Sequence, residues 1–79
     1  MQIRIQYFAV LREQAGRSQE SRETAAASPA ELYDEVRLAY GLVLPRAMLK
    51  VAVNDEFCEW TQPLQPGDCV VFIPPVAGG

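Results

Sequence analysis

The sequence has no histidine and only two cysteines, Cys58 and Cys69, which stand far apart in the chain. A zinc site needs about four nitrogen or sulfur ligands, and an iron–sulfur cluster usually needs four thiolates. Catalytic triads that depend on histidine are excluded for the same reason. The composition therefore predicts no metal site, no bound cofactor and two free, at least half-buried thiols, since disulfides are rare in the cytoplasm.

Long apolar runs are also absent. No stretch approaches the roughly 18 apolar residues of a membrane-spanning helix. The opening residues MQIRIQYF alternate polar and apolar side chains, unlike a signal or transit peptide. We therefore expect a cytoplasmic protein that does not bind membranes. At 79 residues it should form one domain with a small core.

Positive charge is missing from the C-terminal part of the chain. The formal net charge is −3, which argues against a nucleic-acid partner. Lys50 is the last basic residue, and the acidic residues beyond it are Asp55, Glu56, Glu59 and Asp68. This asymmetry favours a partner with a basic surface. The alternative is a solvated acidic face with no partner.

Alternation over residues 2–8 predicts a first strand that turns Ile3, Ile5 and Tyr7 toward the core. Phe8 has the parity of the polar face, so it either folds under the strand end or stays exposed. Residues 9–15 are helix formers followed by Gly16, which predicts a short helix. The polar residues 19–24 are typical of an edge strand.

A second helix has the clearest local signal. Ser28 is suited to its N-cap, Pro29 to its first turn and Glu31 to the return bond of a capping box. Gly41 is a fitting end for this helix. The residues that recur at helical spacing predict one apolar stripe, made of Leu32, Val36, Ala39 and Tyr40.

The remaining chain predicts strands over residues 50–54, 57–58 and 69–73, with a proline-containing loop at 62–68. The last run is apolar and β-branched, which indicates a central strand. This order of elements predicts an α+β, ubiquitin-like β-grasp fold, in which a mixed four- or five-stranded sheet curls around one main helix. The first and last strands should lie side by side. Residues 1–73 would form the domain and residues 74–79 an extended tail.

The tail reads Pro74, Pro75, Val76, Ala77, Gly78 and Gly79. Two prolines end a strand and favour an extended geometry, and the six residues can span up to ~20 Å. Glycines have no side chains and can enter a narrow channel. This shape suits activation of the Gly79 carboxylate as an acyl-adenylate by another protein, which would supply the catalytic groups.

The chain resembles the MoaD-type sulfur carriers, the small subunits of molybdopterin synthase, within the ubiquitin-like MoaD/ThiS family. The resemblance is carried by "YFAVLREQAG", "SPAELYDEV", "VAVN", "PLQPGD" and above all "FIPPVAGG". It implies that an E1-like adenylyltransferase uses ATP to adenylate Gly79 and that a persulfide donor then converts it to a thiocarboxylate. The tail would enter a large catalytic subunit and pass sulfur to cyclic pyranopterin monophosphate. The resemblance also implies a heterotetramer.

The same resemblance implies an exposed apolar docking face at Phe8, Phe57 and Ile73, beside a tail that enters the partner. The alternative is that Phe57 and Ile73 complete a thin core. Trp60 departs from the family pattern, and we expect it to cover the core rather than to anchor a partner.

Four other functions remain open. The chain could carry sulfur for the thiazole of thiamine or for another thiocarboxylate pathway, such as cysteine synthesis. It could be a protein modifier that joins Gly79 to lysines, or a β-grasp interaction module with an incidental tail. The run from Pro74 to Ala77 and the "YFAVLREQAG" stretch favour the molybdopterin type.

Overall fold

The computed structural model describes residues 1–75 of the chain. Five strands form one mixed sheet in the order β2-β1-β5-β3-β4, in which only β1 and β5 are parallel. Two α-helices and one 3₁₀ turn complete this part. The elements are β1 (Gln2–Tyr7), α1 (Ala9–Ala15), β2 (Gln19–Glu23), α2 (Pro29–Tyr40), the 3₁₀ turn Arg46–Met48, β3 (Lys50–Val53), β4 (Glu56–Phe57) and β5 (Cys69–Ile73). The predicted β-grasp fold is confirmed, with the first and last strands paired at the centre.

The core lies between one face of this sheet and α2. Tyr7 of β1 and Val51 of β3 both pair with Phe72 of β5, and all three side chains are buried. Ile3 and Ile5 share this inner face and are also fully buried, as the alternation predicted. Burying side chains of this size contributes about 1.5–3 kcal/mol each, so this row accounts for much of the stability.

The start of α2 is confirmed in part. The Ser28 side chain accepts a hydrogen bond from the Glu31 amide at 3.4 Å, and Pro29 occupies the first turn. Within residues 1–75, the exposed Glu31 side chain makes no return bond to the Ser28 amide, so the predicted capping box is only half formed. Gly41 ends the helix in the left-handed region, at φ 68°.

The predicted apolar stripe of α2 was wrong in one position. Leu32 and Val36 are buried and Tyr40 is half-buried, but Ala39 is exposed. Tyr33 is buried instead, because its hydroxyl donates a 2.6 Å hydrogen bond to the Leu44 carbonyl. This bond removes the cost of burying the phenol, so the ring can fill the core against Phe72.

Strand β2 lies at the sheet edge, as predicted, and its polar side chains explain why it remains in place. Glu20 accepts hydrogen bonds from the Tyr7 hydroxyl at 2.6 Å and the Tyr40 hydroxyl at 2.8 Å. Burial raises the pKa of both phenols, and the bond to Glu20 raises it further. Arg22 forms an ion pair with Glu35 of α2. Polar contacts thus join this edge to the helix.

The predicted bounds were close but not identical. Strands β1, β2 and β3 each end one residue earlier than predicted, and β4 is shifted one residue back, to Glu56–Phe57. The 3₁₀ turn at Arg46–Met48, which follows Pro45, was not predicted from the sequence.

Candidate functional site

The point where the chain leaves the sheet is fixed by its central strand. In β5, Phe72 is fully buried against Tyr33, and the indole of Trp60 stacks on its ring at 6.0 Å. The next residue, Ile73, is half-buried and pairs with Lys50. Pro74 is buried and Pro75 is exposed, so exposure of the chain begins at Pro75. Strand β5 is therefore a rigid base for the residues that follow it.

Trp60 covers the core, as expected. Its ring lies against both Phe72 and Tyr33 and is only partly buried, with the Arg46 guanidinium 5.8 Å from its centroid. These contacts explain the partial burial of the indole by residues of its own domain.

Phe8 stands at the end of β1, where the backbone changes direction. It keeps extended angles, φ −122° and ψ 153°, and so continues the alternation of the strand. The pairing of Tyr7 with Phe72 places Phe8 beside Ile73 on the face opposite the core. Ala9 then adopts a φ of 50° and starts α1. Phe8 remains 47% exposed. Of the two positions that the alternation left open for it, the exposed one is therefore observed.

Phe57 lies on the same outer face. It pairs with Ala52, which in turn pairs with Val71, so the three residues form one row across the sheet. The tight turn before it uses left-handed backbone at Asn54 and Asp55, at φ 51° and 70°. Phe57 is 71% exposed. The alternative that Phe57 and Ile73 complete the core is therefore wrong, because neither belongs to the buried cluster.

Phe57 and Ile73 border one shallow depression of ≈ 390 Å³ beside the chain exit. Two of the residues that line it, Met48 and Lys50, were not predicted from the sequence. Met48 is 52% exposed because the 3₁₀ turn before β3 carries it to this face, and that turn had no recognised signal. We call this surface the exit patch, and its residues are Met48, Lys50, Phe57, Ile73, Pro74 and Pro75, with Phe8 beside it.

The acidic residues of the C-terminal part divide into two groups. Asp55, Glu56 and Glu59 are exposed. Asp68 is half-buried and accepts hydrogen bonds from the Asn54 amide group at 2.9 Å and the Gln65 backbone N–H at 2.8 Å. Asp68 therefore holds the loop before β5, and three carboxylates remain for a partner.

The potential metal ligands and thiols of residues 1–75 are dispersed or half-buried. In this part of the chain no three histidine, cysteine or acidic side chains converge as metal ligands. Cys58 and Cys69 are half-buried free thiols. Burial raises the pKa of Cys58, and the nearby Glu59 raises it further, so its reactive thiolate is disfavoured. The other candidate residues, Val76, Ala77, Gly78 and Gly79, lie outside the described residues.

Neither α-helix of residues 1–75 combines the length and hydropathy that crossing a membrane would require.

The chain matches the ThiS family over residues 5–79, nearly its whole length. It belongs to the ThiS family. This membership agrees with the MoaD/ThiS resemblance drawn from the motifs. The matched region includes the tail from Pro74 to Gly79 and every residue of the exit patch.

Three solved structures are similar to this ThiS-family chain over nearly all of both chains. SAMP1 from Haloferax volcanii is 22% identical, with a TM-score of 0.80 and coverage of 100% of each chain. In the complex of subunits 1 and 2 of the molybdopterin-converting factor from Helicobacter pylori, one chain is 24% identical, with a TM-score of 0.70 and 100% coverage of both. In the BexX/CysO complex of Amycolatopsis orientalis, one chain is 26% identical, with a TM-score of 0.70 and coverage of 98% and 99%.

Proposed function

We propose that this chain is a sulfur carrier that serves as the small subunit of molybdopterin synthase. The observation that carries the proposal is the family match, which runs through the tail to Gly79. The structure supports it, because strand β5 ends at Ile73 beside an exposed apolar surface that also includes Pro74 and Pro75. The chain itself is not an enzyme in this scheme, and its working part is the Gly79 carboxyl group.

The chemistry requires two activating steps. An E1-like adenylyltransferase transfers AMP from ATP to the Gly79 carboxylate and releases pyrophosphate, because a free carboxylate is a poor electrophile. A persulfide sulfur then displaces AMP, and reduction of the resulting acyl disulfide by a thiol leaves a thiocarboxylate. That group transfers its sulfur to cyclic pyranopterin monophosphate inside the large subunit. Gly78 lets the tail pass a narrow channel, because it has no side chain.

Docking would use the exit patch together with Phe8. An exposed aromatic such as Phe57 is typical of residues that anchor an interface. Asp55 and Glu56 lie next to it in the chain and would draw a basic partner surface toward the patch. Two of the similar structures are complexes with a partner protein, which supports docking of this kind. Val76 and Ala77 would extend the contact along the tail.

Two alternatives each have a specific observation in their favour. The likeness to SAMP1, whose name in related structures is small archaeal modifier protein, favours a modifier that joins Gly79 to lysines. The likeness to CysO in its complex with BexX favours a carrier that serves another pathway. A carrier for the thiamine thiazole remains the third possibility within the same chemistry.

Reconstitution tests the proposal. The chain is combined with an E1-like enzyme, ATP, a persulfide donor, a molybdopterin synthase large subunit and cyclic pyranopterin monophosphate, and molybdopterin is measured. We expect product with the full chain and none after deletion of Gly78 and Gly79, with the melting temperature unchanged by the deletion. Product from the deleted chain would end the proposal. Covalent adducts of Gly79 with other proteins, without molybdopterin, would favour the modifier.

A further inference from the structure

Lys50 brings a positive charge to the exit patch. Of the six residues that make up this patch, it alone is charged. Because Val51 is buried on the inner face, the Lys50 side chain points to the outer face of β3. Its backbone pairs with that of Ile73, and its side chain is exposed. A cation therefore lies on a surface whose other members are uncharged.

Lys50 also has a central position on this surface. A second depression, of ≈ 400 Å³, extends from Lys50 and Phe57 to Trp60. Lys50 and Phe57 line both depressions, so they form the boundary between them. The Lys50 ammonium lies 6.0 Å from the Phe57 ring centroid, a distance at which the face of an aromatic ring attracts a cation. A partner that fills both depressions must therefore cover the ammonium as well.

The charge of Lys50 is not neutralised within the described part of the chain. Arg17 and Arg22 both pair with Glu20, but no carboxylate of residues 1–75 forms an ion pair with Lys50. Glu59 is exposed and lines the second depression without pairing with it. An ammonium is compact and strongly hydrated, so removing it from water without an opposite charge carries a large penalty. This penalty falls on binding, because solvent reaches the ammonium until a partner covers it.

The same penalty distinguishes between partners. An apolar partner surface would leave the ammonium buried and unpaired. A carboxylate opposite Lys50 would replace the lost hydration with a charge-assisted hydrogen bond. Specificity of this kind comes from the cost of the wrong partner as much as from attraction to the right one. Asp55 and Glu56 are exposed beside Phe57, so the same partner needs basic groups around its carboxylate.

We propose that Lys50 selects the partner of the exit patch. The partner places a carboxylate against the Lys50 ammonium and basic side chains against Asp55 and Glu56. This inference rests on the proposed function, in which the partner is the large subunit of molybdopterin synthase. Lys50 determines specificity and has no part in sulfur transfer, so it restricts which large subunits the chain can serve.

Calorimetry with that large subunit tests the proposal. Lys50→Met keeps a long side chain and removes the charge, and Kd should rise at least about thirty-fold, because the partner's carboxylate is left buried and unpaired. Lys50→Glu should bind more weakly still, and Lys50→Arg, which keeps the charge, should lose less affinity than Lys50→Met. Equal or tighter binding by Lys50→Met would overturn the proposal, because it would mean that the lysine bends its charge into solvent at the rim.

A matched variant separates a specific contact from overall charge. Arg4 is exposed on the same outer face and forms no ion pair with residues 1–75. It pairs with Cys69, four residues before Ile73 and about 13 Å from the exit. Exposed charges at that distance are largely screened at physiological salt, so Arg4→Met should change Kd by less than about two-fold. Equal losses from Arg4→Met and Lys50→Met would overturn a specific role for Lys50. Both variants should keep the melting temperature of the unchanged chain.

An exchange of charges identifies the carboxylate on the partner. Acidic residues of the large subunit that the chain protects from hydrogen exchange are changed to lysine one at a time. One of these changes should restore the binding of Lys50→Glu, and restoration by none would overturn the proposal. A dimer of the chain alone that Lys50→Met abolishes would also overturn it, because a second copy would then occupy the patch.

The unchanged chain separates this inference from the proposed function. If it does not bind the large subunit, both fail together. If it binds and the affinity does not depend on Lys50, only the inference fails, and the proposed sulfur carrier is unaffected.

Discussion

The two faces of the central strand differ in what their apolar side chains contact. On the inner face, Val70 and Phe72 are fully buried and belong to the core. On the outer face, Ile73 is half-buried, and its neighbours Phe57 and Met48 are mostly exposed. The same kind of residue therefore stabilises the fold on one face and is available to a partner on the other. Substitutions on the two faces should separate stability from binding.

The largest effect on stability should come from the inner face. Phe72→Ala removes a ring that touches Tyr33 and Trp60, and the lost burial and the resulting cavity should lower the free energy of unfolding by about 3–5 kcal/mol. Urea unfolding followed by Trp60 fluorescence measures this change. A loss below about 1 kcal/mol would mean that the core does not depend on β5.

The matched outer-face change should alter binding instead. Phe57→Ala removes a side chain that is 71% exposed, so the free energy of unfolding should change by less than about 0.5 kcal/mol. The free energy of binding to the large subunit, measured by calorimetry, should become less favourable by about 2 kcal/mol, a value typical of an interface anchor. Unchanged affinity would remove Phe57 from the proposed docking surface, and a large loss of stability would contradict its placement.

A smaller effect should follow from the strained backbone beside Phe8. Ala9 has a φ of 50°, a region that glycine adopts without penalty. Ala9→Gly should therefore raise the free energy of unfolding by up to about 1 kcal/mol. Ala9→Val is the opposing control and should destabilise the fold, because a β-branched residue is more strained there. Destabilisation by glycine would contradict the observed turn.

The smallest effect should be the acid dependence of the contact between β2 and α2. Burial alone would raise the pKa of Glu35, but hydrogen bonds from Arg22 and Thr24 outweigh it and lower the pKa below the ordinary 4.5. A carboxyl group with a lowered pKa adds stability above pH 4.5 that is lost as the pH falls through the folded value. Glu35→Gln should reduce this loss in urea unfolding below pH 4.5. If both proteins lose stability equally as the pH falls, the ion pair contributes nothing to the stability of the fold.

Much of the fold followed from the sequence because its signals were local. The alternation from Ile3 to Tyr7 predicted a strand and its buried face, the cap at Ser28 predicted the start of a helix, and the apolar run of β5 predicted a central strand. The burial of Tyr33 in place of Ala39 in the apolar stripe was not predictable, since burial of the phenol depends on a carbonyl eleven residues away. Met48 was missed for a similar reason, because its exposure depends on a turn that packs beside the sheet.

The central claim concerns Gly79, and intact-mass spectrometry tests it most directly. The chain is purified from cells that contain the activating enzyme and the sulfur donor, beside the form that lacks Gly78 and Gly79. We predict a mass gain equal to the exchange of one oxygen for one sulfur, assigned to Gly79 by fragmentation and absent from the shortened chain. An unchanged mass beside a functioning adenylating enzyme would contradict the account.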